Sequence, residues 1–177
     1  MLRALQVGRN MPVGVLLVSR IIDGTHVTLE IRMLDSGDDA IFDNVAPDVF
    51  DNSTDPVLVA QFLTDPRHHL AVAIDDGQVV GFASGVHYVH PDKPSEMWIN
   101  EVGIAPSHQG RGIGKAILRT LLRHAEHLGC REAWVLTDRS NSPAMRLYAS
   151  TGGEEAPREQ VMFTFFLNRD EGDQRTG

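Results

Sequence analysis

The feature that most constrains the fold of this chain is an apolar strand, a glycine-rich loop and an amphipathic helix in direct succession. Residues 97–104 are β-prone apart from Asn100 and Glu101, a pattern typical of a buried strand. Over residues 115–128 the apolar positions recur at helical spacing, and Gly129 follows as the predicted C-cap. The sequence therefore predicts a strand–loop–helix unit at the centre of the domain.

The loop of this unit reads Gln-Gly-Arg-Gly-Ile-Gly over residues 109–114. Its three glycines lack the Cβ atoms that would keep a ligand away from the backbone. The N–H groups of the first helical turn have no intrahelical partner, and the helix dipole adds partial positive charge at the same end. The unit is therefore a predicted anion site, and phosphate is its natural ligand.

The spacing of the glycines argues against two nucleotide-binding motifs. A Walker loop needs four residues between its first Gly and the Gly-Lys-Ser/Thr end, but three lie between Gly110 and Gly114 here. Ala116 also stands where the magnesium-binding hydroxyl is needed. A Rossmann fingerprint needs Gly-x-Gly-x-x-Gly near the start of a βαβ unit, whereas this loop reads Gly-x-Gly-x-Gly and lies far into the chain.

Two motifs resemble the GNAT superfamily of N-acetyltransferases. Gln109-x-x-Gly112-x-Gly114 resembles the Gln/Arg-x-x-Gly-x-Gly/Ala loop with which that superfamily holds the pyrophosphate of acetyl-coenzyme A (acetyl-CoA). Residues 141–148 read Asn-Ser-Pro-Ala-Met-Arg-Leu-Tyr and resemble its Asn-x-x-Ala-x-x-Leu-Tyr segment. The Phe that usually follows is replaced by Gly153, which weakens the packing there.

The resemblance covers residues 28–167 and implies one α/β (α+β) domain of GNAT type, with a central mixed, twisted sheet flanked by helices. Residues 1–27 are predicted to be an N-terminal extension, either disordered or the product of a start codon placed too early. The apolar run at residues 13–18 is too short for a signal peptide. Residues 168–177 are predicted to be a charged, disordered tail.

Local patterns place further elements around the central unit. Strands are predicted at residues 28–34, 70–74, 78–86, 131–137 and 161–167, and helices at residues 39–45, 56–63 and 142–150. An Asp-Asp-Gly turn joins residues 70–74 and 78–86 into a predicted hairpin.

The resemblance places the coenzyme on three segments. Main-chain groups of the central strand are expected to meet the pantetheine, the glycine loop to hold the pyrophosphate, and Asn141 to reach the pantetheine or the phosphate arm. Arg111 and Lys115 are either phosphate partners or solvated cations. The predicted coenzyme-binding residues are Val102, Gly103, Ile104, Gln109, Gly110, Arg111, Gly112, Ile113, Gly114, Lys115 and Asn141.

Glu101 and Tyr148 are the predicted catalytic residues. Glu101 is a carboxylate in a strand that is otherwise predicted to be buried, where a charge is costly unless it has a partner or a function. Removing a proton from an amine is such a function. The alternative is an ordinary ion pair or a solvent-facing side chain. Tyr148 matches the superfamily's Tyr and is predicted to donate a proton to the leaving thiolate. The alternative for Tyr148 is packing in the core.

The predicted acceptor is a small-molecule amine, of polycationic type. Residues 96–104 resemble the aminoglycoside 3-N-acetyltransferase group, in which Asp is more familiar at the position of Glu101. The candidate cleft loops carry five carboxylates that suit a polycation, at Asp48, Asp51, Asp55, Asp92 and Glu96. Two alternatives stay open: acetylation of a polyamine, amino acid or protein N-terminus, and a non-catalytic acyl-CoA-binding sensor.

Composition narrows the remaining classes. The net charge of −8 over 177 residues argues against a nucleic-acid partner, and no apolar run approaches a membrane span. A single cysteine provides neither a disulfide framework nor a cysteine zinc site, and His87 and His90 lack further ligands in register, so no metal is predicted. We expect a cytoplasmic enzyme, with homodimer formation left open.

Overall fold

A computed structural model describes residues 16–22, 25–156 and 162–165 of the chain. The elements in chain order are β1 (Leu16–Ile22), β2 (Thr25–Met33), α1 (Pro56–Thr64), β3 (His68–Asp75), β4 (Gln78–Tyr88), β5 (Glu96–Ile104), α2 (Ile113–His127), β6 (Glu132–Val135) and α3 (Ser142–Ser150). Single 3-10 turns lie at Asp39–Asp43 and Pro106–His108. The predicted α/β architecture, a mixed sheet flanked by helices, is confirmed.

The sheet follows the order of the chain. Strands β1 to β5 pair antiparallel with their sequence neighbours, and β6 joins β5 in parallel after the α2 crossover. The predicted hairpin is β3–β4, and its turn residues Asp76 and Gly77 both have positive φ, at 49° and 74°. This is the turn geometry that matches the twist of two antiparallel strands, which explains the Asp-Gly pair.

The parallel pair β5–β6 is short, and this opens the sheet. Pairing runs only from Glu96 opposite Glu132 to Ile99 opposite Val135, where β6 ends. Strand β5 continues to Ile104, paired on its β4 side. Among the described residues, one edge of β5 over positions 100–104 therefore has no strand partner, and an extended ligand can pair with it.

Helices cover the two faces of the sheet. Helix α2 packs against β2, β3, β4 and β5 through fully buried residues that include Ile117, Leu118 and Leu121. Burying each such side chain contributes about 1.5–3 kcal/mol, so this face provides much of the hydrophobic stabilisation. Helix α1 lies against β3 and the first 3-10 turn. Asp55 caps it, accepting hydrogen bonds from the N–H groups of Val57 and Leu58, which confirms its predicted start.

The helix predicted at residues 39–45 is wrong in type and length, because the chain forms only the 3-10 turn at Asp39–Asp43. The cause is the preceding Asp38. Its carboxylate accepts hydrogen bonds of 2.7 and 2.9 Å from Arg32 and one of 2.8 Å from the N–H of Asp35. The side chain is therefore engaged elsewhere and does not cap a helix.

The ends of the chain differ from the expected pattern. Strand β1 lies within the segment predicted to be an extension and pairs with β2 along its whole length, while β2 begins at Thr25 rather than Thr28. Of the strand predicted at residues 161–167, only 162–165 are described, and these are in no strand. The tail at residues 168–177 lies outside the described residues. No helix in the described part of the chain could cross a membrane.

Candidate active site

A cavity of about 370 Å³ opens between α1 and the face of the sheet that α2 leaves free. This volume is in the range of small-molecule sites. Among the described residues that line it, half are apolar, three carry carboxylates and none is basic. The lining comprises Phe42, Phe50, Asp51, Asn52, Ser53, Thr54, Asp55, Leu58, Val59, Phe62, Leu63, Leu70, Phe82, Ser84, Asn100 and Glu101.

A β-bulge directs Glu101 into this cavity. Ser84 of β4 lies opposite Glu101 and Gly85 lies opposite Ile99, so Asn100 is the extra, unpaired residue. Because directly opposite residues of two strands share a face, Glu101 lies on the same side as Ser84 and lines the cavity with it. The sequence predicts the strand and its carboxylate but not the bulge, which is visible only in the pairing of the two strands.

Glu101 is half-buried and has no ion pair or hydrogen bond within the described part of the chain. Burial raises the pKa of its carboxyl group, and the negative charge of Asp51 raises it further. The alternative of an ordinary ion pair is therefore not what the structure shows. A carboxylate of raised pKa in a cavity is the arrangement expected of a general base.

The loop before α1 completes the cavity. The ring of Phe50 stacks on that of Phe82 at 4.0 Å between centroids, which fixes the loop and brings the next residue, Asp51, close to Glu101. A Cβ on Gly103 would lie 2.2 Å from the main-chain oxygen of Val49. Gly103 is therefore required for packing of this loop, in addition to its predicted place in the coenzyme site. Sequence patterns predict neither Phe50 nor Ser84, because the first is revealed by the packing of the loop on the sheet and the second by the strand register.

The predicted pantetheine residues lie on the open edge of β5. Val102 and Ile104 pair with β4 on one side, and β6 has ended on the other. The side-chain amide of Gln109 donates to the main-chain oxygen of Ile104 at 3.1 Å, which ties the glycine loop to the strand end. The strand edge and the loop thus form one continuous surface.

The glycine loop leads into the N-terminus of α2 as predicted. Gly110 and Gly112 have φ of 72° and 79°, which only glycine adopts easily, and a Cβ on either would meet open space. Gly112 is the N-cap and provides no side chain, and the first intrahelical bond runs from Ala116 N–H to its carbonyl. The N–H groups of the three preceding residues, Ile113 to Lys115, are thus the unpaired donors that an anion uses. Neither Arg111 nor Lys115 forms an ion pair within the described residues.

Helix α3 lies beside the same end of α2. A Cβ on Gly114 would be 3.6 Å from a methyl carbon of Leu147, and the adjacent Tyr148 packs partly buried against the core. Burial raises the pKa of the Tyr148 phenol, so it is protonated at neutral pH. Asn141 caps α3 through its oxygen, which accepts from Ala144 N–H at 3.2 Å. Neither Tyr148 nor Asn141 lines the cavity that holds Glu101.

The two histidines considered for a metal have separate environments. The ring of His87 bonds to that of His69 at 2.7 Å, on the α2 face of the sheet. His90 packs edge-on against Tyr88, near Glu96. The described residues contain no group of three or more side chains arranged to hold a metal ion.

Comparison with known proteins agrees with this geometry. The model of the acetyltransferase (GNAT) family matches residues 39–152. The N-alpha-acetyltransferase RimI of Mycobacterium tuberculosis is 31% identical over 131 residues, which are 71% of this chain and 80% of RimI. The chain belongs to the acetyltransferase (GNAT) family.

Two other relatives match with less identity or less coverage. The mycothiol acetyltransferase of Thermomonospora curvata is 39% identical over 85 residues, which are 47% of this chain and 27% of that protein, so the chain spans about a quarter of its length. An aminoglycoside acetyltransferase from a soil metagenomic sample, solved with sisomicin, superimposes with a TM-score of 0.65 at 20% identity, covering 78% of this chain and 96% of that one. These matches do not confirm the aminoglycoside 3-N-acetyltransferase group that the sequence resembles.

Proposed function

We propose that this protein transfers an acetyl group from acetyl-CoA to a primary amine that carries further positive charge, with an aminoglycoside acetylated at its 3-amino group as the leading candidate. The observation that supports this best is the carboxylate of Glu101, which has no partner among the described residues and lies in a cavity lined by two more carboxylates. None of the described residues that line the cavity is basic. Such a site attracts a cationic amine and holds a base beside it.

The proposed reaction is direct transfer. Glu101 takes a proton from the ammonium group, and the freed nitrogen lone pair attacks the thioester carbonyl. A main-chain N–H near Val102 stabilises the negative oxygen that forms. The carbon–sulfur bond then breaks, and the nitrogen releases its second proton to solvent as the amide forms. Tyr148 donates its proton to the departing thiolate and takes one back from solvent. The raised pKa of Glu101 makes it a better base, and the raised pKa of Tyr148 keeps it protonated until it is needed.

The open edge of β5 and the start of α2 are the proposed coenzyme site. Pantetheine amides pair with the main chain of residues 102–104 as an added strand does. The free N–H groups of residues 113–115, with the helix dipole, bind the pyrophosphate, and Arg111 and Lys115 add charge. Asn141 still has its side-chain NH₂ available, since only its oxygen caps α3.

A second class of acceptor also has an observation in its favour. The inner wall of the cavity carries four phenylalanines, Phe42, Phe50, Phe62 and Phe82, which suit an apolar side chain next to the amine. The amino terminus of a protein is such an acceptor, and RimI, which this chain resembles over 71% of its length, is named an N-alpha-acetyltransferase. An acyl-CoA sensor would need neither Glu101 nor Tyr148 and is the third candidate.

The test is acetyl-CoA turnover, measured by thiol release with gentamicin, spermidine and a short peptide, on wild type and Glu101→Gln. We expect turnover of gentamicin that collapses in the variant, and NMR of the product to show which amine is acetylated. The matched control is Glu126→Gln, an exposed carboxylate of α2. Turnover only with the peptide or spermidine would replace the acceptor. Coenzyme binding without any turnover would favour the sensor.

A further inference from the structure

Trp98 is an exposed aromatic residue on the face of the sheet that carries the cavity. Trp98 of β5 lies opposite Val86 of β4, and Glu101 of β5 lies opposite Ser84 of β4. Because Ser84 and Val86 are two residues apart on β4, the side chains of Trp98 and Glu101 share one face of the sheet. The Trp98 side chain is 38% exposed although its neighbours Met97 and Ile99 are buried. An indole exposed beside a cavity can stack on a ring or a cation bound there.

The ring of Trp98 is held in place by a second tryptophan. It stacks on Trp134 of β6 with 5.7 Å between ring centroids and 15° between planes. The indole N–H of Trp134 donates to the hydroxyl of Tyr88 at 2.6 Å, and that hydroxyl donates to Glu96 at 2.8 Å. Glu96 in turn forms an ion pair with Lys93. The exposed indole is therefore fixed before any ligand arrives, which reduces the entropy lost on binding.

The surroundings of Trp98 favour a cation. Two residues along the same strand, Asn100 and then Glu101, line the cavity, and Asp51 and Asp55 add two more carboxylates to it. Lys93, which lies near this cluster, forms an ion pair with Glu96, and the ring of His90 lies 3.7 Å from the same carboxylate. A positively charged group over an indole face is attracted by the ring quadrupole, and the apolar face of a sugar ring stacks on the same surface.

We propose that Trp98 forms a second acceptor subsite, which stacks a cationic sugar ring remote from the amine being acetylated. The three residues from Trp98 to Glu101 place this subsite roughly 7–10 Å from the base, about one sugar ring away. The inference rests on the proposed function and specifies it: the acceptor has at least two rings, with positive charge on the second.

The test compares a multi-ring acceptor with a single-ring one. In Trp98→Ala, the KM for gentamicin rises about 5- to 30-fold, while the KM for 2-deoxystreptamine, its isolated central ring, and that for acetyl-CoA stay unchanged. Trp98→Phe restores most of the gentamicin affinity because a ring remains. Val89→Ala removes a 78% exposed apolar side chain nearby and serves as the matched control.

Fluorescence gives a readout independent of turnover. The chain has two tryptophans, so Trp134→Phe leaves Trp98 as the sole emitter, and gentamicin is expected to change its emission at concentrations near KM. Equal KM values for gentamicin in wild type and Trp98→Ala, with no change in emission, would overturn the subsite and leave the proposed function standing. An unchanged KM together with a shift in oligomeric state in Trp98→Ala would assign the surface to a second copy of the chain. Absence of turnover with every amine would overturn the proposed function and this subsite with it.

Discussion

The two faces of the sheet differ in whether their buried ionisable groups have hydrogen-bond partners. On the α2 face, His69 is 9% exposed and both of its ring nitrogens are paired, one to His87 at 2.7 Å and the other to His124 at 2.9 Å. On the cavity face, Glu101 is half-buried and has no partner within the described residues. A buried polar group with all its bonds made contributes to stability, whereas one without them costs stability and is kept for another reason.

The difference separates a buried group that packing explains from one that is proposed to be functional. Burial, and then the charges of the neighbouring histidines, together lower the pKa of His69 to about 4. The imidazole is therefore neutral and well suited to exchange hydrogen bonds with two other rings. Burial raises the pKa of Glu101, and so does Asp51. Both groups have shifted pKa values, but Glu101 lines the cavity and His69 does not. A shifted pKa alone therefore does not identify an active site.

The largest expected effect is on catalysis, from Glu101→Gln. Losing the base lowers kcat about 10²- to 10⁴-fold, because proton removal from the amine contributes on that scale. Affinity for acetyl-CoA, measured by calorimetry, should not change, since Glu101 faces the proposed acceptor cavity and not the proposed coenzyme site. A kcat within about threefold of wild type would remove the distinction between the two faces.

The histidine cluster should give the reverse result. His69→Phe keeps the ring shape but leaves His87 and His124 without their partner, so the free energy of unfolding falls by about 1–3 kcal/mol. We expect kcat to change little, because the cluster lies on the far side of the sheet from Glu101. Chemical denaturation and thiol release on one preparation would measure both. A large loss of kcat at unchanged stability would mean that this face also takes part in the reaction.

The same cluster predicts a pH dependence of stability in the wild type. The pKa of His69 falls from 6.5 to about 4 on folding, so between these values the unfolded chain binds a proton that the folded protein does not. Stability present above pH 6.5 is therefore lost as the pH falls toward 4. Denaturation midpoints across this range should decline more steeply in the wild type than in His69→Phe. Parallel curves would show that His69 does not carry the effect.

A smaller effect is expected at the proposed coenzyme site. A Cβ on Gly114 would meet its nearest neighbours at 3.5 Å or more, which is ordinary contact, so Gly114→Ala should fold normally. The methyl group reaches the helix start where the pyrophosphate is proposed to bind, and the KM for acetyl-CoA should rise about tenfold. Gly103→Ala is the contrasting variant, because its Cβ would clash with Val49 and lower stability. An unchanged KM would move the pyrophosphate elsewhere.

The smallest expected effect is that of Asp51 on the pKa of Glu101. Because the charge of Asp51 raises the pKa of Glu101, Asp51→Asn lowers that pKa. The acid limb of the kcat/KM profile, which rises as Glu101 loses its proton, should move to lower pH by less than about one unit. Asp43→Asn, an exposed carboxylate outside the cavity lining, should leave the limb in place. A shift to higher pH would contradict the proposed coupling.

The sequence predicts the parts of this fold that depend on near neighbours. The Asp55–Pro56 start of α1, the Asp-Gly turn and the glycine loop before α2 each satisfy a local requirement, namely a cap, a positive φ or unpaired N–H groups. Such features need no knowledge of the rest of the chain. The family resemblance adds the order of these elements and the place of Glu101 and Tyr148.

The features that sequence reasoning missed all depend on pairing between distant segments. The bulge at Asn100 exists only in the register of β4 and β5, and the three histidines meet only once β3, β4 and α2 have packed. Asp38 looked like a helix cap because its partner Arg32 lies on a preceding strand. No local pattern carries this information, since it follows from which residues the completed sheet brings together.

The most direct test of Glu101 as a base rather than a structural carboxylate is the free energy of unfolding of Glu101→Gln and of the wild type, measured as a function of pH. Folding raises the pKa of Glu101, so the stability of the wild type falls as the pH rises through that pKa, and Gln avoids the loss. We predict a variant that is inactive yet more stable than the wild type at pH 8, with the two equally stable near pH 4. An inactive variant that is less stable than the wild type at pH 8 would show that Glu101 is a structural carboxylate with a partner, and would contradict its proposed role as the base.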